Sequence, residues 1–357
     1  MKDDAEAVTS NTTDTERWTG TLFSFLSTFL FAFSHVSVRY MAGYKVDLDW
    51  ILFYKEAIGL SLLIPWLLIR LYQGRFQFCS KRLLLYIVVS AVICQLIGAR
   101  CQVHGYAVVG LIIAVPLILS STLLGVALLG RYINGHLLSS RRKMAITILI
   151  AAVVIISIGK EMTVTGSSHA NDAVSAGVFL LGAATAVAAG LAYAIYITIL
   201  RYSIRQYWKD ENSTRLSFKF RHWVGHDHVP QPGQRFYSPF PVTLTMSLVF
   251  AVGMVIFGTI LYCRSGLAGF YTVPDEIGRT AWYCILISGV GNMSGFFFQI
   301  QGLRMTSAVQ AQLIAVSQML VLSLIGYFFF LEAVNVVVMI GLGLTIYGVF
   351  MSAKPER

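Results

Sequence analysis

The chain has 357 residues, of which 56% are apolar and only 12% are charged, whereas soluble domains are usually about one quarter charged. Together with a mean hydropathy of +0.70, this composition argues against a soluble enzyme or binding module. The formal net charge of +10 would suit nucleic acid, but the basic residues lie in segments between apolar runs with no soluble domain to display them. We therefore expect no nucleic-acid partner.

Apolar runs of about twenty residues follow one another along almost the whole chain. Such runs can bury their backbone polar groups in lipid only as helices, so we predict an all-α membrane protein with ten transmembrane helices. The predicted spans are 18–39, 50–72, 83–101, 105–129, 143–160, 176–202, 240–263, 281–301, 306–331 and 333–352. Aromatic residues near span ends, such as Trp18, Trp50 and Tyr54, are expected at the membrane interface.

Two polar segments lie outside the spans. Residues 1–17 form a polar tail, and residues 203–239 form a basic linker with several Pro and Gly residues, which is typical of a flexible connection. Most of the 27 Lys and Arg residues fall on the side of the N-terminus. The positive-inside rule therefore predicts cytoplasmic N- and C-termini in an inner or plasma membrane.

The spans form two tandem sets of five, and each set ends in a similar block. The first block runs from Gly105 to Gly159 and the second from Gly302 to Gly348. Because each set has an odd number of spans, the second set must insert upside down relative to the first. Residues 18–161 and 176–352, with the linker inside the second, are thus predicted to be inverted repeats, an arrangement typical of alternating-access carriers.

Three motifs of the second half, together with looser matches in the first, resemble a known family. The motifs are Gly302-Leu-Arg-Met-Thr-Ser-Ala-Val-Gln-Ala-Gln-Leu, Phe330-Leu-Glu332 and Ile340-Gly-Leu-Gly-Leu-Thr-Ile-Tyr-Gly348, and the looser matches are Pro116 and Gly159. They resemble the drug/metabolite transporter superfamily, EamA type. The chain departs from it at Arg131, where glutamate is usual, and at Gln318, where proline is usual. The resemblance implies a ten-helix permease with a central cavity between its halves, and outward traffic of small organic metabolites.

Lys55 and Glu56 are ionisable residues inside the second span. Such residues cost several kcal/mol unless they face protein, water or a partner, so they are functional candidates. Adjacent helical positions do not face each other, so we expect each residue to pair with another helix, such as Glu56 with Arg100, or with a substrate ammonium. For Lys55 the structural alternative is that its long side chain reaches out to the interface.

Polar side chains on other spans complete the candidate site for substrate binding or coupling. They include Ser34 and His35 on the stripe Ser24, Ser27, Thr28, Ser34 and His35 of span one, which we expect to face protein, and also Ser121, Tyr193, Tyr196, Asn292, Gln299 and Gln310. His35 could relay a proton or be a neutral imidazole bonded to a neighbouring helix. For the amides and hydroxyls, the alternative is contact between helices.

The expected function is secondary active transport, as an exporter, of a small polar metabolite. One basic and one acidic group suit a zwitterion such as an amino acid, while phosphorylated or nucleotide-linked metabolites are an alternative. The expected partners are the substrate, a coupling proton or a counter-substrate, and membrane lipid, with the oligomeric state open. One alternative is an intramembrane hydrolase with Ser294 as nucleophile, but no histidine follows Ser294 in the sequence to act as its base. A non-transporting membrane scaffold is another alternative. No catalytic residue, metal or cofactor is expected.

Overall fold

The computed structural model describes residues 14–72, 81–134, 140, 143–148, 150–152, 154–155, 176–213, 240–271, 278–305, 311, 314–315, 317–330 and 335–353. The helices are α1 (Asp14–Gly43), α2 (Leu48–Tyr72), α3 (Lys81–Ile93), α4 (Arg100–Val109), α5 (Leu111–Asn134), α6 (Ala176–Ser213), α7 (Phe240–Ser265), α8 (Gly278–Met305), α9 (Gln318–Phe330) and α10 (Val336–Ala353). A π-helical turn, Cys94–Ala99, joins α3 to α4, and a 3-10 helix, Gly266–Phe270, follows α7. No strand occurs among these residues, which confirms the all-α class.

Seven of the helical stretches are long and apolar enough to cross a membrane. They are Trp18–Gly43, Leu48–Ile69, Leu84–Val109, Leu111–Leu129, Leu180–Leu200, Leu244–Phe270 and Gly278–Leu303. These stretches match predicted spans one to four and six to eight, so the protein is an integral membrane protein. Predicted spans five and nine fall where the structure describes only shorter or interrupted pieces, and span ten corresponds to α10, which is not among the seven stretches. A total of ten spans therefore stays a prediction.

The boundary between predicted spans three and four was wrong. Residues 100–109 continue the third span as α4, and Gly110 then breaks the chain with φ 76° and ψ 174°. Those angles are open essentially to glycine alone, so α5 begins only at Leu111. Another difference lies in the predicted linker, because α6 continues to Ser213 and includes the first part of residues 203–239.

Helices α2 and α7, the second helices of the two predicted halves, run antiparallel. Close contacts show this, because Gly59 lies against the ring of Phe250 while Phe53, one and a half turns earlier in α2, lies against Gly258. A Cβ at Gly59 would stand 2.7 Å from that ring, so glycine lets the two helices approach closely. The second helix of one half therefore points the opposite way from its counterpart.

Helices α1 and α8 are also antiparallel. Gly302, near the end of α8, lies against Ser24, and Gly295 lies against Phe31 further along α1. The π turn and α4 meet α6 in the same sense, because Gly98 lies against the ring of Tyr193 and Gly105 lies against Ala186. The first helix of each half thus packs on the third span of the other half, which is a reciprocal arrangement.

Helices α5 and α6 are instead parallel. Gly190 of α6 lies against Ser121 of α5, and one turn further along both helices Ala194 lies against Gly125. The hydroxyl of Thr122 donates a hydrogen bond to the Gly190 carbonyl at 3.0 Å. Between α5 and α6 the structure describes the helical residues 143–148 and 150–152.

Candidate functional site

A buried ion pair lies on α2, about 10 Å from the start of that helix. Lys55 is 7% exposed and Glu56 is 1% exposed, and the Lys55 Nζ lies 3.2 Å from the Glu56 Oε1. This differs from the expectation that neighbouring positions would not pair, because the flexible lysine stem bends back across the helix surface. Lys55 also does not reach out to the interface.

The Glu56 carboxylate retains unused hydrogen-bonding capacity. The Lys55 ammonium and the Gln95 amide lie beside the carboxylate, but neither of its oxygens has a hydrogen bond of good geometry among the described residues, so part of its acceptor capacity is free. Gly253 of α7 makes room for it, since a Cβ there would stand 2.9 Å from both the Glu56 Cγ and the Gln95 amide. Gln95 itself donates a long hydrogen bond to the Val249 carbonyl, 3.4 Å. A buried carboxylate with free acceptor positions is a candidate ligand-binding group.

His35 joins helices of both halves through its two ring nitrogens. Its Nε2 lies 3.2 Å from the Gln102 Nε2, while its Nδ1 lies 3.1 Å from the Tyr106 hydroxyl and 2.9 Å from the Gln318 Nε2. Gln102 and Tyr106 belong to α4, and Gln318 begins α9. The imidazole is therefore hydrogen-bonded to neighbouring helices, as one of the two expectations for His35 required.

Gln102 is the centre of this network. Its Nε2 donates to the Tyr106 hydroxyl at 2.6 Å, and its Oε1 accepts from the Tyr193 hydroxyl at 2.5 Å. With the amide in this orientation, the His35 Nε2 accepts the second Gln102 N–H. The Nδ1 then donates to the Tyr106 hydroxyl, and the Gln318 amide has to turn its oxygen toward it. Tyr193 lies on α6, so the network extends across the seam between the halves.

The π turn Cys94–Ala99 points two amides in different directions. Gln95 and Gln102 are seven residues apart and would share one face of a regular α-helix. The wider π turn rotates the following residues by about a quarter turn or more. Gln95 consequently faces α7, whereas Gln102 faces His35 and α6. One helix thus supplies polar groups to both the ion pair and the histidine network.

Two further candidate residues are buried with unpaired polar atoms. Tyr196 is 1% exposed and Asn292 is 5% exposed. Among the residues that the structure describes, neither the Tyr196 hydroxyl nor the Asn292 Nδ2 has a hydrogen-bond partner. Phe296, one turn beyond Asn292, meets the rings of Tyr196 and Phe250 edge-on with centroids 6.1 and 5.9 Å apart. Unpaired polar atoms beside aromatic rings suit the binding of a partly polar solute.

Residues 233–353 match the EamA-like transporter family. The match covers about a third of the chain, within its second half. The similarity supports a membrane transporter of the drug/metabolite type. A solved crystal structure of a protein shares the fold, with a TM-score of 0.60, 13% sequence identity, and coverage of 94% of this chain and 97% of that one. No curated protein matched the chain.

Two predicted residues make contacts between or within helices. The Ser34 hydroxyl lies 3.1 Å from the Ser288 hydroxyl, which joins α1 to α8. The Ser121 hydroxyl donates to the Leu117 carbonyl of its own helix at 2.6 Å and lies against Gly190. The stripe on span one faces protein, as expected. Its Ser and Thr members are all buried, and His35 is part-buried.

The remaining predicted residues lie elsewhere. Arg100 does not pair with Glu56, because its Nε lies 3.1 Å from the Asp49 Oδ1 near the start of α2. Gln299 is part-buried on α8. Gln310 lies outside the described residues. The ion pair, the histidine network and the unpaired groups of α6 and α8 therefore form the candidate site, with Arg100 separate from it.

Sequence reasoning missed three members of the candidate site. Gln102, Tyr106 and Gln318 are all buried against His35, although only Gln318 had been noted, as a departure from the usual proline. Each is a polar residue inside an apolar run, and that pattern marks either a helix contact or a solute site. Their convergence depends on how the helices pack, which the sequence pattern does not contain.

Proposed function

We propose that this EamA-like transporter moves its solute by alternating access, with two five-helix halves, residues 18–161 and 176–352, rocking around the buried polar site. The observation that carries the proposal is the Lys55–Glu56 pair, which is buried at the seam with α7 and has free acceptor positions. A charged pair inside a span costs free energy, so its presence there indicates a function. A solute can reach it only if the packed helices separate.

Helix directions support the proposed inverted arrangement. The antiparallel contact of Gly59 in α2 with Phe250 in α7 relates the second helices of the two halves as an inverted repeat would. The parallel contact of Ser121 in α5 with Gly190 in α6 requires a return of the chain between them, as a fifth span would provide. Together they favour ten spans and, with the basic residues on one side, cytoplasmic termini in the cell membrane.

The charges favour a zwitterion such as an amino acid as substrate. Within the described residues of the site, Lys55 offers one cation and Glu56 one anion, so the substrate carboxylate would meet the first and its ammonium the second. A phosphoryl group carries about −1.5 to −2 charges at neutral pH, and the described site offers one lysine against that. Phosphorylated metabolites are therefore the weaker candidate. Export, driven by a proton or by a counter-substrate, completes the proposal.

Ligand binding to purified protein tests this site. Zwitterionic amino acids should raise the unfolding temperature, because a ligand present at about 100 times its Kd adds about 2.7 kcal/mol of stability. Analogues that lack either the ammonium or the carboxylate should have little effect. The double variant Lys55→Met with Glu56→Gln should lose the shift, whereas Ser61→Ala, at an exposed position on the same helix, should keep it. A double variant that keeps the full shift would refute the assignment.

A further inference from the structure

Asp47 links the start of α2 to the end of α7. Its Oδ1 accepts hydrogen bonds from the backbone N–H groups of Asp49 and Trp50 at 2.9 and 3.2 Å, which makes it the N-cap of α2. Its other oxygen, Oδ2, forms an ion pair with Arg264. Arg264 belongs to the second half. The Asp47 carboxylate therefore caps a helix of the first half and forms an ion pair with the second half.

Asp49 extends this contact into an ionic network. Its carboxylate lies 3.5 Å from the Arg264 Nη1 and 3.1 Å from the Arg100 Nε. The Asp49 side chain is only 2% exposed, whereas that of Arg264 is 59% exposed. Among the ion pairs that the structure describes, those between the two halves lie at this end of the bundle. The network joins the beginning of α2, α4 and the end of α7.

An aromatic layer lies beneath the network. The carbonyl of Phe270, in the 3-10 helix after α7, accepts hydrogen bonds from the Trp50 Nε1 at 3.1 Å and from the Tyr54 hydroxyl at 2.9 Å. Trp282 of α8 meets the same two rings edge-on, with centroids 5.4 and 5.1 Å away. Trp50 is fully buried, in contrast to the interfacial position expected for it. Every one of these contacts crosses between the halves.

The network and the aromatic layer lie directly over the candidate site. Asp49 and Glu56 are seven residues apart on α2, so they share one face of the helix and are about 10 Å apart along it. The contacts of Asp47, Asp49 and the Phe270 carbonyl therefore lie between Glu56 and the end of the bundle where α1 stops and α2 starts.

We propose that Asp47, Asp49, Arg100 and Arg264, with the Phe270 carbonyl and the rings on it, form a gate that is closed in this structure. This proposal rests on the alternating access proposed above. The gate is suited to reversible opening because exposed ion pairs, such as those of Arg264, are individually weak. The Asp49–Arg100 pair, in which Asp49 is buried and Arg100 is 43% exposed, lies within the first half and stays intact when the second half moves away.

Accessibility of Cys94 tests the gate. Cys94 lies in the π turn, is 2% exposed, and can be made the only cysteine by replacing Cys79, Cys101, Cys263 and Cys284 with Ser. A membrane-impermeant thiol reagent, applied separately to each side of sealed vesicles, reports opening toward that side. Arg264→Gln should speed labelling about three- to tenfold from the side of residues 43–48, since it removes two weak contacts. The matched control is Arg279→Gln, an exposed position at the start of α8, which lies at the same end of the bundle. It should leave the labelling rate unchanged.

A conservative variant keeps the result interpretable. Arg264→Lys should label at a rate near the original, because it keeps a cation beside Asp47 and Asp49. The gate is overturned if Arg264→Gln and Asp47→Asn label at the control rate, or if they speed labelling equally from both sides. Solute flux in the same vesicles separates the two proposals. If Cys94 labelling depends on Arg264 but no solute flux occurs, the gate is supported and transport is refuted.

Discussion

Gly190→Ala tests the packing of α5 against α6, which sets the position of Tyr193 and Tyr196. A Cβ at Gly190 would come closer than 3.0 Å to both the Ser121 hydroxyl and the Ile118 carbonyl. The hydroxyl can rotate away, but the carbonyl belongs to the backbone, so the helices themselves have to separate. Overpacking costs about 1–3 kcal/mol, and loss of the hydrogen bond from Thr122 to the Gly190 carbonyl adds roughly 0.6 kcal/mol. The expected destabilisation is therefore about 2–4 kcal/mol.

Thermal unfolding of the purified variants measures this effect. Gly190→Ala should lower the midpoint by roughly 5–10 °C, on the scaling for large domains. Gly343→Ala is the matched control, since a Cβ there would have nothing within 4 Å, and alanine is the better helix former. Its midpoint should be unchanged or slightly higher. Equal midpoints for the two variants would refute the close approach of α5 and α6.

Three further substitutions act on the site. Lys55→Met or Glu56→Gln alone should destabilise the folded protein by about 3 kcal/mol, because each leaves a buried charge without its partner. The double variant should lose less stability, since it removes both charges. Additive losses would contradict the pairing. Gln102→Leu should cost about 1–3 kcal/mol, since it leaves buried partners unpaired, and an unchanged midpoint would contradict the network. Gly253→Ala should weaken ligand binding about tenfold by pressing on Glu56, unlike Gly343→Ala, and equal Kd values would contradict that contact.

The helices were predictable because long apolar runs have one stable solution in lipid. The break at Gly110 was not, because its hydropathy resembles that of its neighbours and only its positive φ shows the turn. The Lys55–Glu56 contact was missed for a different reason. A helical projection gives the direction of the Cβ atom, whereas a lysine ammonium stands several rotatable bonds away from it.

The histidine network shows what a pattern along the chain does not contain. His35 and Gln102 are 67 residues apart, and Gln318 is 283 residues from His35. Their meeting depends on how α1, α4 and α9 pack, and the π turn further rotates Gln102 toward the histidine. Polar residues inside spans were therefore recognisable as candidates, but their grouping required the tertiary structure.

Counterflow in proteoliposomes tests the central claim most directly. Vesicles loaded with an unlabelled zwitterionic amino acid, identified by its stabilising effect, should take up the labelled form with saturable kinetics. The account predicts that Ser61→Ala retains this uptake and that the double variant Lys55→Met with Glu56→Gln loses at least about tenfold, equivalent to 1.4 kcal/mol in the transport step. Undiminished uptake by the double variant, or uptake that never saturates, would contradict a carrier whose two halves alternate around this ion pair.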